Sequence, residues 1–423
     1  MLIFIAVLFI TLLVISTPVA IVLLGVTTAT VHFYLSVPLQ ALVQQLFNGM
    51  DNFILLSIPF FILSGTLMAR GSISGKLVGV MQILVGHLPG GMAIASVLAC
   101  IFFAAISGSS PATVIAIGSI MIPALIKHGY DEDFSIGLLT STGSLGILIP
   151  PSIPMVLYAL VMNVSVGKLF MAGIMPGIMI GAILIIYSFI LAKRHNWKTV
   201  TNYARGEKWQ YIQSASWGIA MPVIILGGIY SGIFTPTEAA AVSVVYALFV
   251  EFFIYKDMNM EKLHQVLKET VTLSSALLFI IACAMTFIWL LTRERLPVIA
   301  ADFIIAHINN KYVFLLVVNI FLLLVGCVMD IVSAVVIISP ILLIALQQYD
   351  IDLIHFGVMM IVNIEFGFLT FPFGLNLFVA MGITGKSLTQ VGRAVLPFLG
   401  LLLIGLMLVT YIPSVTLWLT RVL

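Results

Sequence analysis

The sequence predicts an all-α polytopic membrane protein built from two inverted repeats, each with a re-entrant helical hairpin and a broken helix. Three observations lead there. Of 423 residues, 62% are hydrophobic and only 8% are charged, too few charges to cover a water-facing surface. Residues 137–158 and 359–380 are apolar stretches broken at the same place by Gly and Pro: Gly146-Ile-Leu-Ile-Pro150-Pro151-Ser152 and Gly367-Phe-Leu-Thr370-Phe-Pro372-Phe-Gly374. Finally, an ordered series of residues recurs at an offset drifting from 217 to 221: Pro123 with Pro340, Tyr130-Asp131 with Tyr349-Asp350, Gly146 with Gly367, Pro151 with Pro372, Pro176 with Pro397. Such duplication in membrane proteins usually carries inverted topology.

The elements follow in chain order from the length a helix needs, about 20 residues for a hydrocarbon core of ~30 Å. Residues 1–50 form an N-terminal span and scaffold arm. Their apolar run at 2–27 has no basic leading region and no small-residue cleavage site, so it reads as a retained span or signal anchor. The first repeat covers 51–192, with a near-span at 52–69, a hairpin at 92–126, a broken helix at 134–163 and a full span at 169–192. The hairpin arms, 92–106 and 112–126, are too short to cross and meet at a polar tip. Residues 193–215 form a connector with the densest basic cluster, Lys193, Arg194, Lys198, Arg205 and Lys208, and with Trp197, Trp209 and Tyr211 as interfacial anchors. Basic loops mark the cytoplasm, and Lys256, Lys262 and Lys268 fall on the same side, whereas Arg293 and Arg295 run against the rule. Scaffold helices occupy 216–291, at 216–233, 236–255 and 271–291. The second repeat, 292–423, holds a hairpin at 313–346, a broken helix at 354–383 and a C-terminal span at 395–420.

Several function classes drop out on composition. A net charge of +2 with dispersed basic residues does not suit nucleic acid. Cys100, Cys283 and Cys327 lie far apart in apolar runs and make neither a disulfide framework nor a zinc site, and the seven histidines lack ligand spacing. Nothing calls for an organic cofactor.

The polar residues that remain sit where the helices break. The first hairpin's tip is Ser107-Gly108-Ser109-Ser110-Pro111-Ala112-Thr113. Each unpaired hydroxyl there would cost about 1–3 kcal/mol, so the cluster needs partners: helix ends, an ion or a substrate. Thr140-Ser-Thr142-Gly143-Ser144 precedes the first break. Unwound carbonyls at a half-helix C-terminus suit Na⁺, and the positive N-terminal end near Ser152 suits a carboxylate. In the second half, Gly326-Cys327-Val-Met-Asp330 leads into the returning helix. Asp330 is either a functional charge, costly by roughly 3 kcal/mol in an apolar neighbourhood, or a helix N-cap. Asn363, Glu365, Thr370 and Asn376 add polar atoms to the second break without a nucleophile–base arrangement. Thr235-Pro236-Thr-Glu238 reads as a capping box rather than a binding site. Paired broken helices of this kind point to a binding site that is alternately exposed, and so to a transporter.

The run Ser107 to Thr113, the break Gly146 to Ile153 with Tyr158 after it, the Gly232…Thr-Pro-Thr-Glu-Ala-Ala-Ala241 box and Asp330…Pro340-Ile-Leu together resemble the large membrane subunit of tripartite ATP-independent periplasmic (TRAP) transporters, across residues 50–400. One departure is visible, Thr370-Phe-Pro-Phe-Gly374 where the family commonly has a Thr-Pro-Pro-Val-Gly-like break. The resemblance implies a multi-pass permease of the bacterial inner membrane that works by an elevator mechanism. It further implies a small four-helix membrane subunit, a periplasmic substrate-binding protein, and import of an organic anion driven by two or more Na⁺. One Na⁺ would lie between Ser107, Gly108, Ser109, Ser110 and Thr142, Gly146, Pro150. The other would lie between Gly326, Cys327, Asp330 and Gly367, Thr370. The anion would meet Ser109, Ser110, Thr113, Ser152 and Asn376. The Phe-Pro-Phe-Gly variant and Asn376 tilt the expected substrate toward sialic acid, with C4-dicarboxylates and keto acids next. The rival readings are a stand-alone Na⁺/anion symporter without a binding protein, a passive channel, and an intramembrane hydrolase using Asp330 or Ser110. For the hydrolase, no His or Lys stands in a base role beside either residue.

Overall fold

The computed structural model describes residues 1–15, 17–197, 205–371 and 374–422, with side chains at all of these but 205–208, 210, 211 and 214. Every regular element among them is helical, and seven helices are long and apolar enough to cross a membrane. Lipid offers no partner for backbone N–H and C=O, so a lipid-facing segment has to close its hydrogen bonds within itself.

The two halves share one register. The returning helices of the hairpins cover 110–127 and 331–348, and the chain turns after them through the left-handed residues Gly129 and Asp350. Asp131 then caps Glu132–Thr142 and Asp352 caps Leu353–Gly367, each accepting backbone N–H groups of the first turn. Asn163 and Gly385, again left-handed, end the helices after the two breaks, and Ser165 and Ser387 cap the next ones. These pairs are 221 or 222 residues apart, which corrects two matches made in sequence: Asp131 corresponds to Asp352 rather than Asp350, and Pro123 and Pro340 sit one helical turn apart on equivalent helices. Isolated prolines and tyrosines recur in apolar chain by chance, whereas caps recur because orphan N–H groups demand them.

The repeats are inverted. Lys386, just before Leu388–Tyr411, pairs with Glu132 at the base of the first hairpin at 2.8 Å. At the other end of that helix, Tyr411 donates to the Tyr312 carbonyl at the base of the second hairpin. Twenty-four residues separate the two bases by about 36 Å. The hairpins therefore enter from opposite faces. Trp197 lies against Tyr130 and Phe134, which puts Lys193 and Arg194 on the face of the first hairpin's base.

A second group of helices flanks this core. Pro236–Phe249 packs along Ser57–Arg70, and Met260–Arg293 crosses Val19–Tyr34, Leu39–Met50 and Ser57–Arg70. The Thr235/Glu238 capping box is present in full. Where Met260–Arg293 begins, Lys262 and Ser72 both donate to Asp257 and hold its carboxyl below the usual carboxylate range.

Three expected spans differ. The run at 2–27 is two helices, Leu2–Val14 and Val19–Tyr34, because Pro18 has no N–H to continue the first and instead starts the second. The run at 395–420 is likewise divided into Leu388–Tyr411 and Pro413–Val422 at Pro413. Helix Arg205–Tyr230 extends through residues expected in the connector, of which 198–204 lie outside the described residues.

Replacing either cap by Ala, Asp131→Ala or Asp352→Ala, is expected to lower stability by about 1 kcal/mol. Asp131→Asn, which keeps the acceptor, should stay near wild type. Thermal unfolding of the purified protein in micelles reads both.

Candidate functional site

The first hairpin tip rests directly on the first break. Gly91–Ser107 ends in left-handed Gly108 (φ 59°), extended Ser109 turns the chain, and Pro111 opens the returning helix. A Cβ at Gly108 would stand 2.6 Å from the Pro151 carbonyl oxygen, and one at Gly146 would stand 2.6 Å from the Ser109 oxygen and 2.7 Å from Thr113 Oγ1. Only glycine permits backbone to approach backbone this closely. The scaffold touches the same place, since a Cβ on Gly65 would come within 3.1 Å of the Ser107 backbone.

The hydroxyls at this junction are mostly spent as donors. Thr113 donates to the Ser109 carbonyl at 2.8 Å and lies 3.1 Å from Ser107 Oγ. Thr142 and Thr140 donate to carbonyls one turn back, and Ser144 donates to Ser141 O. Ser107 and Thr113 thus close the tip on itself, the capping alternative. A hydroxyl that donates keeps acceptor capacity, and so do these and that of Thr142. Ser152 differs: it starts Ile153–Met162 without a side-chain cap bond, and its buried Oγ has no partner.

The second junction repeats the geometry with different chemistry. A Cβ at Gly326 would meet Ile364 O at 2.6 Å, and one at Gly367 would meet Gly326 Cα at 2.5 Å. Asp330 caps Ile331–Gln348, accepting from Ser333 N at 2.9 Å and from Ser333 Oγ. The N-cap reading therefore accounts for both of its oxygens. Cys327 and Thr370 donate to Leu323 O and Phe366 O. Pro372 and Phe373, on which the Phe-Pro-Phe-Gly reading rests, lie outside the described residues.

A buried hydrogen-bonded cluster joins the first hairpin tip to the second broken helix. Asn376 Nδ2 donates to Ser110 Oγ at 2.6 Å and to Glu365 Oε1 at 3.0 Å, linking residues 266 apart in sequence. All three residues are fully buried. The structure thus brings Ser110 and Asn376 together, and it binds Asn376's amide nitrogen inside the wall. Glu365 went unassigned in the sequence reading, although its signal was the one that singled out Asp330, a carboxylate in an apolar run. Five buried oxygens without a hydrogen-bond partner lie on the two broken helices, Ser141 Oγ, Ser152 Oγ, Asn363 Oδ1, Glu365 Oε2 and Asn376 Oδ1, and others, among them both Glu251 oxygens, lie elsewhere. Among the described residues no group of three His, Cys, Asp or Glu side chains could hold a metal ion. A hard monovalent cation bound by carbonyls, hydroxyls and single carboxylates fits this oxygen set.

Gly146→Val and Gly367→Val each force a side chain into facing backbone, so each should abolish uptake in reconstituted vesicles while the protein still inserts and accumulates. Wild-type uptake by either variant would mean that these junctions are not part of the transport path.

The comparisons with known proteins agree with this architecture. The profile of the family described as "Tripartite ATP-independent periplasmic transporter, DctM component" matches residues 6–415. The C4-dicarboxylate TRAP transporter large permease protein DctM of Pseudomonas aeruginosa is 46% identical over 89% of this chain and 88% of its own. The sialic acid TRAP transporter large permease protein SiaM of Vibrio cholerae is 36% identical over 88% of each. The crystal structure of the Alcanivorax borkumensis YdaH transporter superposes with a TM-score of 0.67, covering 99% of this chain and 98% of that one at 15% identity, a likeness of fold. With two inverted repeats sealed at their breaks and the family matched over nearly its whole length, the chain belongs to the large permease subunits of TRAP transporters; it is a multi-pass membrane transporter and not an enzyme.

Proposed function

We propose that this chain carries an organic anion of C4-dicarboxylate size into the cell across the bacterial inner membrane, driven by Na⁺, after delivery by a periplasmic binding protein and together with a small four-helix membrane subunit. The observation that supports this most is the pair of hairpin-to-break junctions with acceptor oxygens and an unpartnered hydroxyl around them. Ser152 stands at the N-terminus of a half-helix whose positive end and free hydroxyl suit a carboxylate. One Na⁺ would use backbone oxygens of Ser107 to Ser110 and the oxygens of Thr142 to Pro150. The second would use carbonyls of Gly326 to Asp330 and of Gly367 to Thr370, with the Asp330 carboxylate already occupied by Ser333.

The hairpins and broken helices would move as one body against the flanking helices, in an elevator motion. The Gly65–Ser107 contact lies on that sliding boundary. Because cations and anion share the tip backbone, each orders the other's site, and thermodynamics requires the mutual tightening to be equal.

The dicarboxylate assignment draws on the relative at 46% identity named for that substrate. The sialic acid alternative leaned on Asn376, whose amide nitrogen is engaged by Ser110 and Glu365.

Proteoliposomes holding this chain and its small subunit should take up labelled C4-dicarboxylate only with both an inward Na⁺ gradient and the binding protein. Sialic acid uptake under the same conditions would keep the mechanism and replace the substrate, and uptake without the binding protein would favour a stand-alone symporter. Ser152→Ala should raise the half-saturating anion concentration about tenfold, the loss of one hydrogen bond to a charged group.

A further inference from the structure

Glu365 is a fully buried carboxylate on the last turn before the second break. The four ion pairs among the described residues involve Arg70, Lys262, Arg293 and Lys386, and none reaches it. Asn376 and the Ser110 hydroxyl are its hydrogen-bond partners, and its Oε2 has none. Asn376 Oδ1 is equally unpartnered, so two buried acceptors sit on groups joined by a 3.0 Å bond. Ser110 Oγ, at 2.6 Å from the same amide, is the third oxygen of the set.

A negative charge buried this deeply is not tolerated without compensation. The N-terminus of the returning helix at Ser110 supplies roughly half a unit of positive charge, which leaves the group net negative. An uncompensated carboxylate would also repel the anion proposed to bind beside Ser110. A fixed cation would resolve both, yet no cationic side chain is at hand. Three acceptor-rich oxygens from the first hairpin (Ser110), the second broken helix before its break (Glu365) and after it (Asn376) converge here.

We infer that Glu365, Asn376 Oδ1 and Ser110 hold an additional Na⁺, distinct from the two at the glycine junctions, which ties the first hairpin tip to the second break. The ion neutralises Glu365 and turns a repulsive neighbourhood into one that accepts an anion. This rests on the Na⁺-coupled reading above and adds to it a third, carboxylate-bound ion that bridges the halves.

The test is the Na⁺-to-anion coupling ratio, read from reversal potentials in proteoliposomes with small subunit and binding protein, for wild type and Glu365→Gln. The expected ratio is at least three for wild type and lower by one in the variant. Purified protein gives an independent readout: in choline buffer Glu365→Gln should resist heat better than wild type, because it removes the uncompensated charge, and adding Na⁺ should close that gap. A wild-type ratio of two overturns the inference even if the variant does not fold. So does an unchanged ratio in Glu365→Gln, or a gap closed by acid in choline rather than by Na⁺, which would mean that a proton does the neutralising. Loss of all Na⁺ dependence in wild-type uptake would instead sink the symport reading and carry this site with it.

Discussion

Everything in this protein depends on how two interrupted helices satisfy their backbone inside a membrane. A helix broken at lipid depth frees N–H and C=O groups that lipid cannot satisfy. Each break is covered by the end of a hairpin, and the cover fits only because glycine stands on the facing surfaces: Gly108 and Gly146 at the first, Gly326 and Gly367 at the second. The inverted arrangement follows from this requirement. Each hairpin must reach the middle of the membrane from its own side, and the Leu388–Tyr411 helix touches one hairpin base at each end.

The polar side chains around the breaks divide by what they have left to offer. Thr140, Thr142, Ser144, Thr113 and Thr370 donate to nearby carbonyls and keep only acceptor capacity. Asp330 spends its carboxylate on its own helix. What remains is a set of acceptors with two free hydroxyls, at Ser141 and Ser152. On the proposed reading, such a surface would attract cations first and, once they were in place, an anion, so coupling would follow from charge rather than from a separate gate. Asn376 connects the first hairpin tip to the second broken helix, since a shift of that tip must move or break its bond to Ser110.

Legibility in the sequence varied with the physical reason behind each feature. The breaks at Gly146 and Gly367 were readable because Gly and Pro interrupt an apolar run for steric reasons that need no partner. The duplication was readable too, but its register was not, because Pro123 and Pro340 looked equivalent and lie a turn apart. Caps set the true frame: Asp131 with Asp352, and Ser165 with Ser387. Span lengths at both termini were overestimated where Pro18 and Pro413 divide hydrophobic runs that composition alone treats as continuous. Asp330 and Glu365 gave the same local signal, and only their partners separate a helix cap from a buried carboxyl with a free oxygen.

By itself, then, the sequence determined that the chain lives in a membrane and which residues interrupt its central helices, because hydropathy and backbone sterics act within a few residues of one another. The tertiary structure decided which of the many buried oxygens are spent and which are free. A hydrogen bond such as that between Asn376 and Ser110 spans 266 residues and depends on two hairpins meeting from opposite faces. No local pattern encodes that meeting; it arises from packing the whole chain so that each break finds its cover.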